Sequence, residues 1–217
     1  MGEQASESTY DKTGRPLGFV REEAVEAAMN LFWRKGFLAV SAKDLADAMG
    51  IQRSSFYNSF GSRENAFIEA LKLYATQTPD VPLGKLEPGQ PVVPVLVSVM
   101  RNICHIRATD AEARGCLVCN SIAELVGVED SVGPMLEDAV KAQVAVLERL
   151  LRQAAQQGEI ELLSDEGAAA RTFVAFLVGL NTVSKVIRDE GQLWDMCREF
   201  LLGLGIPKTA LEAAISD

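Results

Sequence analysis

Apolar positions recur at helical spacing through most of the chain, and Gly, Pro and short polar runs interrupt them. From Val25 the i+3, i+4 and i+7 positions are Ala28, Met29 and Phe32, joined by Leu31. That spacing gives one buried face and predicts a helix over 19–35. Glu22 and Glu23 in its first turn and Arg34 and Lys35 in its last suit the helix dipole, and Gly36 ends it. Ser41, with Asp44 three residues on, reads as the capped start of a second helix whose inner face is Leu45, Ala46 and Met49. Gly50 stops it, and Ile51 returns to the core. A short third helix is predicted over 53–59, carrying Phe56 and Tyr57, with Phe60 just beyond. A fourth, capped by Ser62, covers 63–77 with Ala66, Phe67, Ala70, Leu71 and Tyr74 on one face. Two short helices, a tight Gly turn and a small Ala46 at their crossing describe a helix-turn-helix.

Residues 78–94 hold Pro79, Pro82, Pro88, Pro91 and Pro94 with Gly84 and Gly89, a connector between domains. Helices are then predicted over 92–107 and 116–126, over 131–157 from a Ser131 cap to Gly158, and over 165–189. A break at Gly191 precedes a last helix over 192–204. The expected fold is all-α with about nine helices: a three-helix N-terminal domain over 19–62, a connecting helix over 63–77, and a helical domain over 78–217. Residues 1–18 are polar, contain no apolar core of a signal peptide, and read as a disordered arm.

Composition supports a packed, helix-rich protein, since 48% of residues are apolar. The net charge of −9 argues against nucleic acid until it is divided along the chain. Residues 1–77 carry 9 Lys/Arg against 10 Asp/Glu, and residues 78–217 carry 12 against 20. The surplus acid therefore lies outside the helix-turn-helix. No run is long and apolar enough to span a bilayer, so a cytoplasmic location with reduced cysteines is expected.

The run from Ser41 to Phe67, SAKDLADAMGIQRSSFYNSFGSRENAF, resembles the DNA-binding signature of the TetR family of repressors. The helix before it, ending Phe32-Trp33-Arg34-Lys35-Gly36-Phe37, resembles that family as well, so the likeness covers about 19–73. It implies that residues 53–59 enter the major groove of double-stranded operator DNA. Gln52 and Arg53 have the donor geometry to read adenine and guanine edges, and Ser54 and Ser55 are short enough for close approach. Tyr57, Asn58, Lys43 and Arg63 are candidates for phosphate contact. Two half-sites require a homodimer. The resemblance places its interface on the last two helices, at Phe176, Leu180, Val183, Ile187, Phe200 and Leu201.

The stretch Arg114-Gly-Cys-Leu-Val-Cys-Asn-Ser-Ile-Ala-Glu-Leu125 is similar to a segment in one branch of the family. It implies that Cys116, Cys119 and Asn120 line an effector cavity whose movement is relayed to the fourth helix. Met100, Cys104, Phe173 and Asn181 join that set from helix position alone, with ordinary core the competing assignment. Cys116 and Cys119 also form a Cys-x-x-Cys at a helix start, where the dipole favours a thiolate. Redox or electrophile sensing, or a thiol-redox enzyme, is the alternative, although no β-α alternation surrounds the motif. No catalytic constellation and no metal or cofactor site is expected. The chain reads as a DNA-binding repressor released from its operator by a small molecule.

Overall fold

Every regular element among the described residues, 19–213, is helical in this computed structural model. Eleven helices are present there, two more than the pattern predicts. One is α5 (Val81–Gly84), inside the Pro-rich connector, and the other is α11 (Lys208–Ala213), after Pro207. Both exist because one apolar side chain docks: Leu83 and Leu211 are buried against α6 (Val93–Thr109). Pro82 stands in the first turn of α5, where its missing N–H has no helical partner to lose. The expected disordered arm, 1–18, lies outside the described residues.

The chain divides between Thr76 and Gln77 into two compact units. The first holds α1 (Arg21–Lys35), α2 (Ala42–Ala48), α3 (Arg53–Phe60) and nearly all of α4 (Arg63–Gln77). Its centre is aromatic: Phe32, Phe37 and Phe67 meet with centroids 4.9–5.9 Å apart, and Phe56 stacks on Phe60 at 5.5 Å. Each buried Phe contributes roughly 1.5–3 kcal/mol by leaving water. Ser41 starts α2 through a full capping box: its hydroxyl accepts from the Asp44 N–H, and the Asp44 carboxylate accepts from the Ser41 N–H. The helix-turn-helix corner depends on Gly50 at φ +66°, a conformation that L side chains rarely adopt. It lets the Ile51 N–H reach back to the Ala46 carbonyl at 3.0 Å.

The second unit packs α6, α8 (Gly133–Gln156), α9 (Glu166–Val183) and α10 (Glu190–Gly203) around one core, with α7 (Leu117–Leu125) set against α8 and α9. α9 lies along α8 and touches α7, while α10 and α11 lie on α6. Three predicted boundaries are corrected here. Ser131 is not the cap of α8: its hydroxyl turns to Glu129, and Val132 takes the cap position with no side-chain bond. α9 stops at Val183 rather than 189, because the chain folds over there, with the Val186 and Ile187 N–H groups returning to the Val183 carbonyl. Arg188 then donates to the carbonyls of Ala108 and Asp110 at the end of α6, holding the turn. Gly191 does not break a helix but lies in the first turn of α10, which Asp189 caps by accepting from the Gln192 N–H at 2.8 Å.

Candidate functional site

α3 is eight residues long, and its two sides have opposite chemistry. Phe56 and Phe60, one turn apart, are buried, whereas Arg53, Ser54, Tyr57 and Asn58 form two exposed rows on the other side. Gln52 precedes them, exposed, in the cap position without a capping bond, so its amide stays available. Ser55 is half-buried at the edge of this face. No acidic residue interrupts α3. The Arg53 guanidinium lies 5.7 Å from the Tyr57 ring centre, with Nη2 3.5 Å from the hydroxyl. The two long side chains thus share one patch, offering a cation and a hydroxyl together. Lys43 on α2 is exposed and ion-paired with Asp47 at 3.1 Å. Such a pair contributes little on a surface and exchanges readily for a phosphate.

Arg63 departs from the sequence expectation of a phosphate contact. Its guanidinium lies 4.1 Å over the Phe37 ring and donates to the carbonyls of Phe37 and Val40 at 3.5 and 3.3 Å. Nε donates to Glu64 at 3.2 Å. All these partners close the joint between the α1–α2 loop and α4. A delocalised cation that stacks on an aromatic and satisfies loop carbonyls has a structural role, so Arg63 is withdrawn from the DNA-contacting set.

In the second unit, Met100, Cys104 and Phe173 are core side chains no more than 1% exposed. A groove of about 290 Å³ opens between α5 and α6, lined by Pro79, Pro82, Pro94, Val95, Ser98, Val99 and Asn102. None of the predicted effector residues lines it. Asn120 is half-buried and donates to the Arg114 carbonyl, fixing the loop before α7. That loop presses on the end of α9: a Cβ on Gly115 (φ +70°) would lie 2.9 Å from the Asn181 carbonyl. Asn181 is buried and accepts from Arg107 Nε at 2.5 Å. Leu180 and Leu201, assigned from sequence to a dimer interface, are 1% and 0% exposed within this chain's own core. The apolar stripes of α9, which carries Leu180, and of α10, which carries Leu201, are wide enough that part of each faces inward, so these two are removed from that set. Phe176 and Phe200 stack at 4.0 Å with an interplanar angle of 2°, half-exposed, and Val183 and Ile187 lie half-exposed beyond them.

The cysteines form two neighbouring pairs. Cys104 Sγ and Cys197 Sγ are 3.4 Å apart, joining α6 to α10, a relation between residues 93 positions apart. Their mutual bond lowers the Cys104 thiol against the opposing effect of burial, while the same bond and burial push Cys197 up. Cys116 and Cys119 are the local pair. The Cys116 bond and then burial push the Cys119 thiol well above the ordinary range, opposite to what a helix start alone predicts. His105 points away from both pairs, to Glu190 at 2.9 Å.

Residues 24–70 match the model for bacterial regulatory proteins of the tetR family, and residues 93–200 match the tetracyclin repressor-like C-terminal domain. The chain belongs to the TetR family. It is therefore a DNA-binding transcriptional regulator. The transcriptional repressor BdcR of Escherichia coli (strain K12) is 36% identical over 110 residues, half of this chain; the match spans 55% of BdcR. The uncharacterised regulator YezE of Bacillus subtilis (strain 168) is 24% identical over 183 residues, 84% of this chain and 94% of YezE. Among solved structures, the TetR-family regulator CifR, a cysteine-substituted variant bound to 26 bp of operator DNA, superposes with a TM-score of 0.76. It is 25% identical, and the match covers 88% of this chain and 100% of CifR.

Within the TetR framework, three residues matter that the sequence pattern did not single out. Arg21 donates to the Ser59 carbonyl at 3.3 Å and to Glu69 at 2.6 Å, and lies 4.6 Å over Phe60. It locks the end of the recognition helix to α1 and α4. Glu159 accepts from the Val92 and Val93 N–H groups at 2.8–3.1 Å and so caps α6 from 66 and 67 residues away. Neither pairing leaves a periodic trace. Arg107 does leave one: it is a charge on the apolar face of α6 that carries Met100, Ile103 and Cys104.

Proposed function

We propose that this protein is a homodimeric, cytoplasmic, non-enzymatic repressor that releases operator DNA when a small molecule binds its C-terminal unit. The observation that carries the reading is the acid-free face of α3, with Arg53, Ser54, Tyr57 and Asn58 exposed against a Phe56–Phe60 anchor. Gln52, Arg53, Ser54 and Ser55 lie at the groove floor, and Tyr57, Asn58 and Lys43 hold phosphates. Phe176, Val183, Ile187 and Phe200 supply the interface with a second copy. The effector acts by population shift, favouring a spacing of the two recognition helices that no longer matches one DNA turn. The test is a gel shift with the DNA upstream of the protein's own coding sequence. Binding that weakens steeply between 50 and about 200 mM salt is expected. Absence of binding at the lowest salt would refute the reading.

A second reading, thiol control of DNA release, is favoured by the 3.4 Å approach of Cys104 and Cys197. Hydrogen peroxide would take two electrons and two protons from the two thiols, giving the disulfide and two waters. The sulfurs need close only to about 2.05 Å. Here DNA release on peroxide treatment is lost in Cys197→Ser and kept in Cys116→Ser/Cys119→Ser. The opposite pattern would return the role to the Cys116–Cys119 pair.

A further inference from the structure

Arg107 is 4% exposed, deep between α6, α7 and α9, and guanidinium stays charged in any protein interior. Among the described residues its only hydrogen-bond partner is the neutral amide of Asn181, and no carboxylate oxygen lies within 4.0 Å. The nearest acid in sequence, Asp110, is taken by Arg114, whose backbone N–H and side chain donate to it at 2.7 and 3.3 Å. Asn181 cannot turn to serve Arg107 further, because its Nδ2 donates to the Leu177 carbonyl at 2.8 Å. With Nε bound to Asn181, the two terminal nitrogens have no protein partner among the described residues. They are not among the sealed, unpartnered nitrogens of the described residues, so the cation is fixed at one end and open at the other to an anionic group.

We propose that Arg107, oriented by Asn181, is the anchor for the acidic group of an organic monocarboxylate that acts as the effector. This deepens the ligand-release reading above and rests on it. The planar pair of free terminal nitrogens matches a carboxylate in end-on bidentate geometry. One guanidinium balances one negative charge. The side chains one and two turns before Arg107 and Asn181 are Ile103, Met100, Leu177 and Phe173, all apolar. The ligand therefore joins a single carboxylate to an apolar body. The loop before α7 is packed on the Asn181 carbonyl at Gly115, so a ligand that shifts the bonded Arg107–Asn181 pair acts directly on that loop.

The experiment uses the full chain and matched probes: straight-chain carboxylates from butanoate to decanoate, each against its neutral primary amide, by calorimetry and thermal melting. At least one acid is expected to bind tenfold or more tightly than its amide and to raise the melting temperature with concentration. Arg107→Lys keeps a reduced preference for the acid. Arg107→Met/Asn181→Leu loses the preference and melts higher than the parent without ligand, since the uncompensated charge is gone. If every amide matches its acid, or no acid binds, the proposal is overturned. It is equally overturned if the double variant keeps the preference. If the double variant does not fold, the parent and Arg107→Lys comparisons decide alone. DNA binding of the same samples without probe separates the two claims: acid preference without DNA binding removes the repressor reading and leaves the site.

Discussion

Replacing Arg63 by Met separates a structural arginine from a DNA-contacting one. The substitution keeps most of the aliphatic stem and removes the guanidinium. Three interactions go with it: the 4.1 Å stack on Phe37 and the bonds to the Phe37 and Val40 carbonyls at 3.5 and 3.3 Å. The stack is worth about 1 kcal/mol at this partly buried position, with the side chain 25% exposed. The two carbonyl bonds are long, so together they add about 1 kcal/mol rather than the full charged-bond value. The adjacent Glu64 pair is near the surface and adds little. The first unit should lose roughly 2 kcal/mol, which at a urea slope of about 1 kcal/mol per M lowers its midpoint by about 2 M. Trp33, in that unit, reports its unfolding in a Trp194→Phe background. The salt dependence of operator binding should keep its slope, because no phosphate contact is lost. Lys43→Gln is the converse case, with an unchanged urea midpoint and a slope shallower by about 1.8 for the two subunits of a dimer. An Arg63→Met protein with the parent's midpoint and a shallower salt slope would refute the structural assignment.

Further expectations concern the helix starts and the proposed interface. Asp44 is held below its ordinary value of 3.8, first by the Ser41 hydroxyl bond. Its contribution to stability is therefore complete above that value and is lost as pH falls through the lower folded value. Ser41→Ala should flatten the acid limb of the stability profile, measured by urea titrations between pH 2 and about 6; an acid limb identical to the parent's would contradict the assignment. Glu159→Ala uncaps α6 and should cost about 1–2 kcal/mol. Amide exchange should accelerate at Val92 and Val93, and unchanged protection there would argue against the cap. Phe176→Glu should weaken the dimer at least about thirtyfold with the monomer's circular dichroism intact. Leu180→Glu should unfold the second unit instead, and sedimentation together with thermal melts distinguishes the two outcomes.

Much of the fold is legible because its elements are specified locally. Ser41 with Asp44 and the glycines at 36 and 50 mark ends of helices or turns within a few residues of the groups they satisfy. The Phe56–Phe60 spacing likewise states which side of the recognition helix faces inward, and so which side is left for DNA. α5 and α11 leave no pattern in the sequence because each is stabilised by one residue docking on a distant helix, below the length at which periodicity is detectable. The α9–α10 boundary differs from the pattern for a related reason: Gly191 looks like a breaker, whereas the stop is made by a turn held from the end of α6 by Arg188.

Spacing and near-neighbour capping, both written along the chain, specify the helical class, the helix-turn-helix and the chemistry offered at its surface. Tertiary structure alone decided what each long side chain touches. It turned Arg63 from a phosphate ligand into a clamp on Phe37, placed Leu180 and Leu201 in the core, and brought Cys104 to Cys197 across 93 residues. It also left the charge of Arg107 buried beside an amide. The physical reason is common to all four. Which neighbour meets a given side chain, apolar or charged, is chosen by the packing of helices far apart in the chain, and no local spacing encodes it.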